Sequence, residues 1–184
     1  MTIKIHTLIR RAVSAVWRLT RWFASSARIV LLRVKNPCLE LPFSVSVGRA
    51  LQIGRAVSIG SFSQISVRGG RCIVGRNTEL GQGCVIACQE KVEIGARTLI
   101  AEYVTVRDQD HVLPGRASEN GESFLTSAVK IGDEVWIGAK ATVLRGSTMG
   151  NCSTLGAHGL LKGLVPENTV AVGLPAKVVE ENSP

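Results

Sequence analysis

His111 is the side chain of this sequence best matched to moving a proton near neutral pH, since imidazole titrates there. It closes the segment Val106-Arg107-Asp108-Gln109-Asp110-His111, in which Asp108 and Asp110 lie near enough along the chain to orient the ring or raise its basicity. Directly after it comes a polar stretch, residues 112–128, with Pro and Gly and unlike either flank. A loop this long inside a compact domain is usually functional. The trio Asp108, Asp110 and His111 therefore reads as a general base with its carboxylate partners. Other chemistries are poorly supplied. Cys38, Cys72, Cys84, Cys88 and Cys152 show no metal-ligand spacing and no disulfide framework, which points to a reducing compartment. No metal site is expected.

The frame that must carry His111 is written in a six-residue period. Aliphatic side chains recur at Ile53, Ile59 and Ile65, at Val74, Leu80 and Ile86, and at Ile94, Ile100 and Val106. They resume at Ile131, Ile137, Val143, Met149, Leu155 and Leu161. Glycine follows nine of these fifteen positions, and the residue four places on is mostly small. A helix would scatter such a period around its circumference, whereas short strands joined by tight turns return it to one edge; hexapeptide periods belong to parallel β-helices. Extra residues between 65 and 74 and between 86 and 94 imply three hexapeptides per coil. The expected fold is all-β, a triangular prism spanning about residues 41–165, with residues 112–128 projecting from one corner. Glycine is expected to supply positive φ at the corners.

Charge divides the 184-residue chain. Residues 1–40 hold eight Lys or Arg and one acid, Glu40, whereas the remaining fourteen bases and thirteen acids nearly cancel. Wound as a helix, Arg10, Arg21 and Arg28 fall opposite Ile5, Leu8, Ile9, Val16 and Phe23, with Trp17 and Trp22 near the margin. The expected organisation is a basic amphipathic helical segment at 1–40 and a β-helix domain with its tail at 41–184. Residues 3–35 suit the surface of an anionic bilayer, with packing on the prism as the alternative. No apolar run is long enough for a membrane span, arginines recur where a signal peptide would be apolar, and no nucleic-acid motif accompanies the basic residues.

The hexapeptide array, the segment Val106–His111, the run Ile131-Gly-Asp-Glu-Val-Trp-Ile-Gly-Ala139 and the ending Val172-Gly-Leu-Pro-Ala-Lys-Val-Val179 resemble the left-handed β-helix acyltransferases. The resemblance is to the maltose, galactoside and polysaccharide O-acetyltransferase branch and covers about residues 45–180. It implies a homotrimer with active sites between neighbouring subunits, acetyl-CoA as co-substrate along the C-terminal coils, and His111 as general base. It further implies that Trp136 and Ala139 line the pantetheine and acceptor region, that the Ala157 backbone meets the pantetheine arm, and that Lys177, with Lys162, serves the CoA side. Two departures bear on the acceptor. Gln109 replaces a His of the family's Asp-His-Asp-His run, and Gln82, between Gly81 and Gly83, falls where a sugar-binding Asn is usual; both are assigned to the acceptor side. The implied activity is O-acetylation of a saccharide hydroxyl, in a polysaccharide, O-antigen or lipid-linked glycan precursor, by a cytoplasmic protein peripheral to the inner face of the membrane.

Three other functions compete. N-acetylation of an amino sugar would use the same base. A zinc enzyme resembling the trimeric β-helix carbonic anhydrases would need more histidine than His6, His111 and His158. A non-catalytic trimeric scaffold would have no use for the His111, Val-Trp-Ile-Gly and Gly-Leu-Pro-Ala-Lys segments together.

Overall fold

The computed structural model describes residues 38–39, 44–47, 50–112 and 124–181; the amphipathic segment expected at 1–40 lies, but for Cys38 and Leu39, outside them. Strands follow one another in threes. The first coil holds β1 (Cys38–Leu39), β2 (Ser44–Val47) and β3 (Leu51–Ile53), and the second β4 (Ser58–Ile59), β5 (Gln64–Val67) and β6 (Arg71–Val74). The third holds β7 (Glu79–Leu80), β8 (Val85–Cys88) and β9 (Lys91–Ile94). In the fourth, β10 (Leu99–Ile100) and β11 (Thr105–Arg107) are followed by a hairpin of β12 (Gln109–His111) and β13 (Phe124–Thr126) before β14 (Val129–Ile131). The fifth has β15 (Trp136–Ile137), β16 (Thr142–Val143) and β17 (Thr148–Met149); the sixth has β18 (Thr154–Leu155), β19 (Leu160–Leu161) and β20 (Leu164–Val165). β21 (Thr169–Val172) begins another coil, and β22 (Lys177–Glu181) folds back antiparallel on it as a cap.

Each third strand pairs in parallel with its counterpart, which makes three faces. The first is β1-β4-β7-β10-β15-β18-β21, the second β2-β5-β8-β11-β16-β19, the third β3-β6-β9-β14-β17-β20. The six-residue period becomes three vertical columns in register: Ile59, Leu80, Ile100, Ile137 and Leu155 on the first face, Ile65, Ile86, Val106, Val143 and Leu161 on the second, and Val74, Ile94, Ile131, Met149 and Val165 on the third. All are buried, and each such aliphatic contributes about 1.5–3 kcal/mol by leaving water. The small residues between them form inner columns whose hydroxyls are satisfied by the next coil: Ser63 Oγ donates to the Gly81 carbonyl at 2.9 Å and Thr78 Oγ1 to that of Gly95 at 2.8 Å. The array extends further than expected, from Cys38 to Val172 rather than from about 41 to 165.

Glycine supplies positive φ as expected at Gly70, Gly146 and Gly163, on the edge between the second and third faces, but the glycine that follows the aliphatic has another reason. Positive φ falls on Ala56, Asn77, Arg97, Glu134, Cys152 and Asn168 at the edge between the third and first faces. At the edge between the first and second faces it falls on Phe62, Gly83, Tyr103, Lys140 and His158. The glycine after the aliphatic is needed because the next coil passes against it. A Cβ on Gly75 would lie 2.4 Å from the carbonyl carbon of Gly95. Close stacking, not backbone handedness, selects glycine there.

Candidate functional site

The insertion leaves at the edge between the second and third faces, level with the fourth coil. β12 and β13 pair antiparallel there, with Gln109 opposite Thr126, Asp110 opposite Leu125 and His111 opposite Phe124. The expected loop is therefore shorter than 112–128, because Phe124–Thr126 form its return strand. His111 is exposed, and its ring packs on Phe124 with centroids 4.5 Å apart at 42°. That contact limits the imidazole's rotation while leaving it open to a reacting hydroxyl.

The carboxylates beside His111 are engaged elsewhere. Asp108 is fully buried. Its Oδ1 accepts the Gln89 N–H at 2.8 Å, and its Oδ2 accepts those of Glu90 at 2.8 Å and Lys91 at 2.7 Å. Asp108 thus binds the corner of the coil below, with both carboxylate oxygens accepting backbone N–H groups. Asp110 accepts from Arg145 Nε at 2.7 Å, which ties the hairpin base to the fifth coil. Side chains alternate along a strand, so Asp110 and His111 leave β12 on opposite sides. Gln109, half-buried between Asp108 and Asp110, has an Oε1 with no partner among the described residues.

The other expected residues, Lys162 excepted, lie away from this edge. Gln82 is exposed at the edge between the first and second faces, its Nε2 3.3 Å from the Tyr103 hydroxyl. Ala139 and Ala157 occupy that same edge in the fifth and sixth coils, where the His158 N–H donates to the Ala139 carbonyl at 2.9 Å. Trp136 is 55% exposed on the first face, between Leu99 and Thr154. Lys162 is exposed on the hairpin's edge two coils further on, and Lys177 on the closing strand β22. One copy of the chain therefore carries His111 at one edge and Gln82, Trp136, Ala139 and Ala157 at and beside another. Spacing alone did not reveal Phe124 or Arg145; the signal was available only in that Phe124 is the aromatic residue of the insertion and Arg145 lies at the matching corner of the next coil.

Burial pushes the Cys72, Cys84 and Cys88 thiols upward. For Cys88 burial leads, the facing Asp108 carboxylate adds to it, and the thiol rises to about 12. Such thiols are protonated near neutrality and are poor nucleophiles. Among the described residues no three His, Cys, Asp or Glu gather as a metal site, and His111 and His158 sit on different edges.

A parallel three-faced β-helix of six-residue repeats with a hairpin at one corner places the chain among the hexapeptide-repeat β-helix proteins. No family model matches the chain. A Mycobacterium tuberculosis protein named as an acetyltransferase is 32% identical over 176 residues, spanning 89% of this chain and 57% of its own length. WbbJ of Escherichia coli K12, which bears the name of a lipopolysaccharide biosynthesis O-acetyl transferase, is 31% identical over 172 residues, spanning 89% of this chain and 83% of its own. The chain belongs to the hexapeptide-repeat acetyltransferases. Among solved structures, the N-acyltransferase AntD of Bacillus cereus with dTDP and 3-hydroxybutyryl-CoA superposes with a TM-score of 0.74 at 19% identity, covering 83% of this chain and 84% of that one, a likeness of fold. A galactoside acetyltransferase in complex with coenzyme A gives 0.55 at 27% identity, covering 80% and 66%.

Proposed function

We propose that this protein transfers the acetyl group of acetyl-CoA to a hydroxyl of a saccharide, within a polysaccharide, O-antigen or lipid-linked glycan precursor, with His111 as general base. The observation that carries this reading is the exposed imidazole, ring-packed on Phe124 and held on a hairpin whose base is tied down by Asp108 and Arg145. The imidazole takes the acceptor hydroxyl proton as oxygen attacks the thioester carbonyl. The carbon–sulfur bond then breaks and the departing thiolate receives that proton, so no cysteine nucleophile is required. Ala139, Ala157, Trp136, Lys162 and Lys177 serve the CoA side, and Gln82 and Gln109 the acceptor. Because the base and most of these residues occupy different edges, the reading needs a cyclic homotrimer in which the hairpin edge of one copy meets the edge of Ala139 and Ala157 on the next. Residues 3–35 would hold the trimer on the cytoplasmic face of an anionic membrane.

The test is acetyl-CoA with a panel of free and lipid-linked glycans, amino sugars included, products read by mass. O-acetylated product is expected, and His111→Ala should lower kcat about 10²–10⁴-fold. Full activity in that variant would remove His111 from the mechanism, and N-acetylated product alone would move the reaction to amino sugars. In the same preparations, deleting residues 1–35 should abolish co-sedimentation with vesicles containing phosphatidylglycerol; unchanged binding would end the membrane reading.

A further inference from the structure

The edge between the first and second faces changes chemistry along the prism axis. In the fifth and sixth coils it presents small and basic residues: Ala139 and Lys140, then Ala157 and His158. In the second to fourth coils it presents aromatic rings. Phe62 is 71% exposed and Tyr103 51%, and both hold backbone in the left-handed region, at φ of 62° and 59°. The same corner is left-handed at Gly83, Lys140 and His158 as well, so the conformation belongs to the coil and the rings are what set this stretch apart. The residue between them in the column is Gly83, and its lack of a side chain is used. A Cβ at Gly83 would lie 2.5 Å from Cδ1 and Cε1 of Tyr103. The phenol ring thus lies over Gly83 of the third coil while keeping about half of its surface open. Gln82 Nε2 lies 3.3 Å from the Tyr103 hydroxyl and fixes that pose. Two coils at the strand spacing separate Phe62 from Tyr103, roughly 10 Å.

We infer that Phe62 and Tyr103 form a stacking subsite for sugar rings of the acceptor beyond the one that is acetylated. The inference rests on the saccharide reading above and names the kind of saccharide: an oligomer rather than a monosaccharide. A pyranose offers an apolar C–H face and a rim of hydroxyls. The strip offers the complement, two aromatic surfaces flanked by the amide of Gln82 and the exposed carboxylates of Glu79 and Glu102. The strip also ends at the level of the fourth coil, the level at which the hairpin bearing His111 departs. A chain stacked along it would present one terminal or internal ring toward the reacting level and keep the rest in the second and third coils.

Calorimetric titration of the full-length protein tests this with β-1,4-linked galactotetraose and chitotetraose against galactose and N-acetylglucosamine. At least one tetrasaccharide should bind about tenfold more tightly than its monosaccharide. Tyr103→Ala and Phe62→Ala should each abolish that preference, Tyr103→Phe should keep most of it, and the particle mass by light scattering should stay unchanged. No preference in the wild-type protein, or a preference untouched by Tyr103→Ala, overturns the subsite. A change of particle mass in Phe62→Ala or Tyr103→Ala also overturns it, by assigning the strip to a subunit contact. Failure of the wild-type protein to acetylate any acceptor would sink the proposed activity, and the binding comparison would still decide the strip.

Discussion

Asp108 and Asp110 flank the same glutamine and do different work. Asp108 is buried and gathers three backbone N–H groups of residues 89–91, at the corner immediately below the hairpin. Hydrogen bonds to a charged acceptor are each worth about 1.5–3 kcal/mol, and amides left unpaired on burial cost a similar amount. Asp108→Ala should therefore lower the free energy of unfolding by about 3 kcal/mol or more, read by urea denaturation. Asp108→Asn, which keeps one acceptor oxygen, should lose about half as much. The pH dependence of acetyl transfer should keep its shape in whichever of these variants remains folded. A fully stable Asp108→Ala protein whose pH profile had moved would restore Asp108 as the partner of His111. In sequence the two aspartates look equivalent, one three residues and one a single residue before the histidine. What separates them is burial, complete for Asp108 and partial for Asp110, which proximity along the chain does not encode.

At the scale of the element, the six-residue period was enough to place the three aliphatic columns, the inner column of small residues and the break where the hairpin departs. Periodicity reports what repeats, and Ile65, Ile86 and Val106 repeat because each must cover its counterpart one coil away. It is silent on what one coil does to the next. Gly75 looks like a residue chosen for its backbone freedom, yet its constraint is the Gly95 backbone pressed against the place a Cβ would take. Tyr103 looks like an interruption of the small, polar corner residues, and only the contact with Gly83 shows that a ring is accommodated there. The hairpin was legible as an insertion and not as paired strands, because the match of Gln109–His111 with Phe124–Thr126 is antiparallel and local, outside the period altogether. Residues that act between coils or outside the lattice were the ones missed.

For the whole molecule, the decisive fact is that His111, proposed as the base, and most of the residues proposed for CoA and acceptor do not meet within one copy. His111 rises from the edge between the second and third faces, and Gln82, Ala139 and Ala157 line the edge between the first and second. Cyclic assembly of three copies brings each kind of edge against the other three times, and this has a consequence that a self-contained site does not share. His111→Ala removes the base from one edge, and Ala157→Trp blocks the other edge at an exposed position. Each variant alone should be inactive. In any trimer containing both, one junction pairs the intact hairpin of the Ala157→Trp copy with the intact edge of the His111→Ala copy. Random mixing by co-expression at equal levels makes three quarters of the trimers mixed, each with one working site of three, so about one quarter of wild-type activity should return. A site built within single copies would return none, since every copy would carry one lesion. Light scattering on the same samples should give a particle three times the 19.6 kDa chain. A monomeric particle, or a mixture as silent as its parents, would remove the shared site and with it the pairing of His111 with the edge of Ala139 and Ala157.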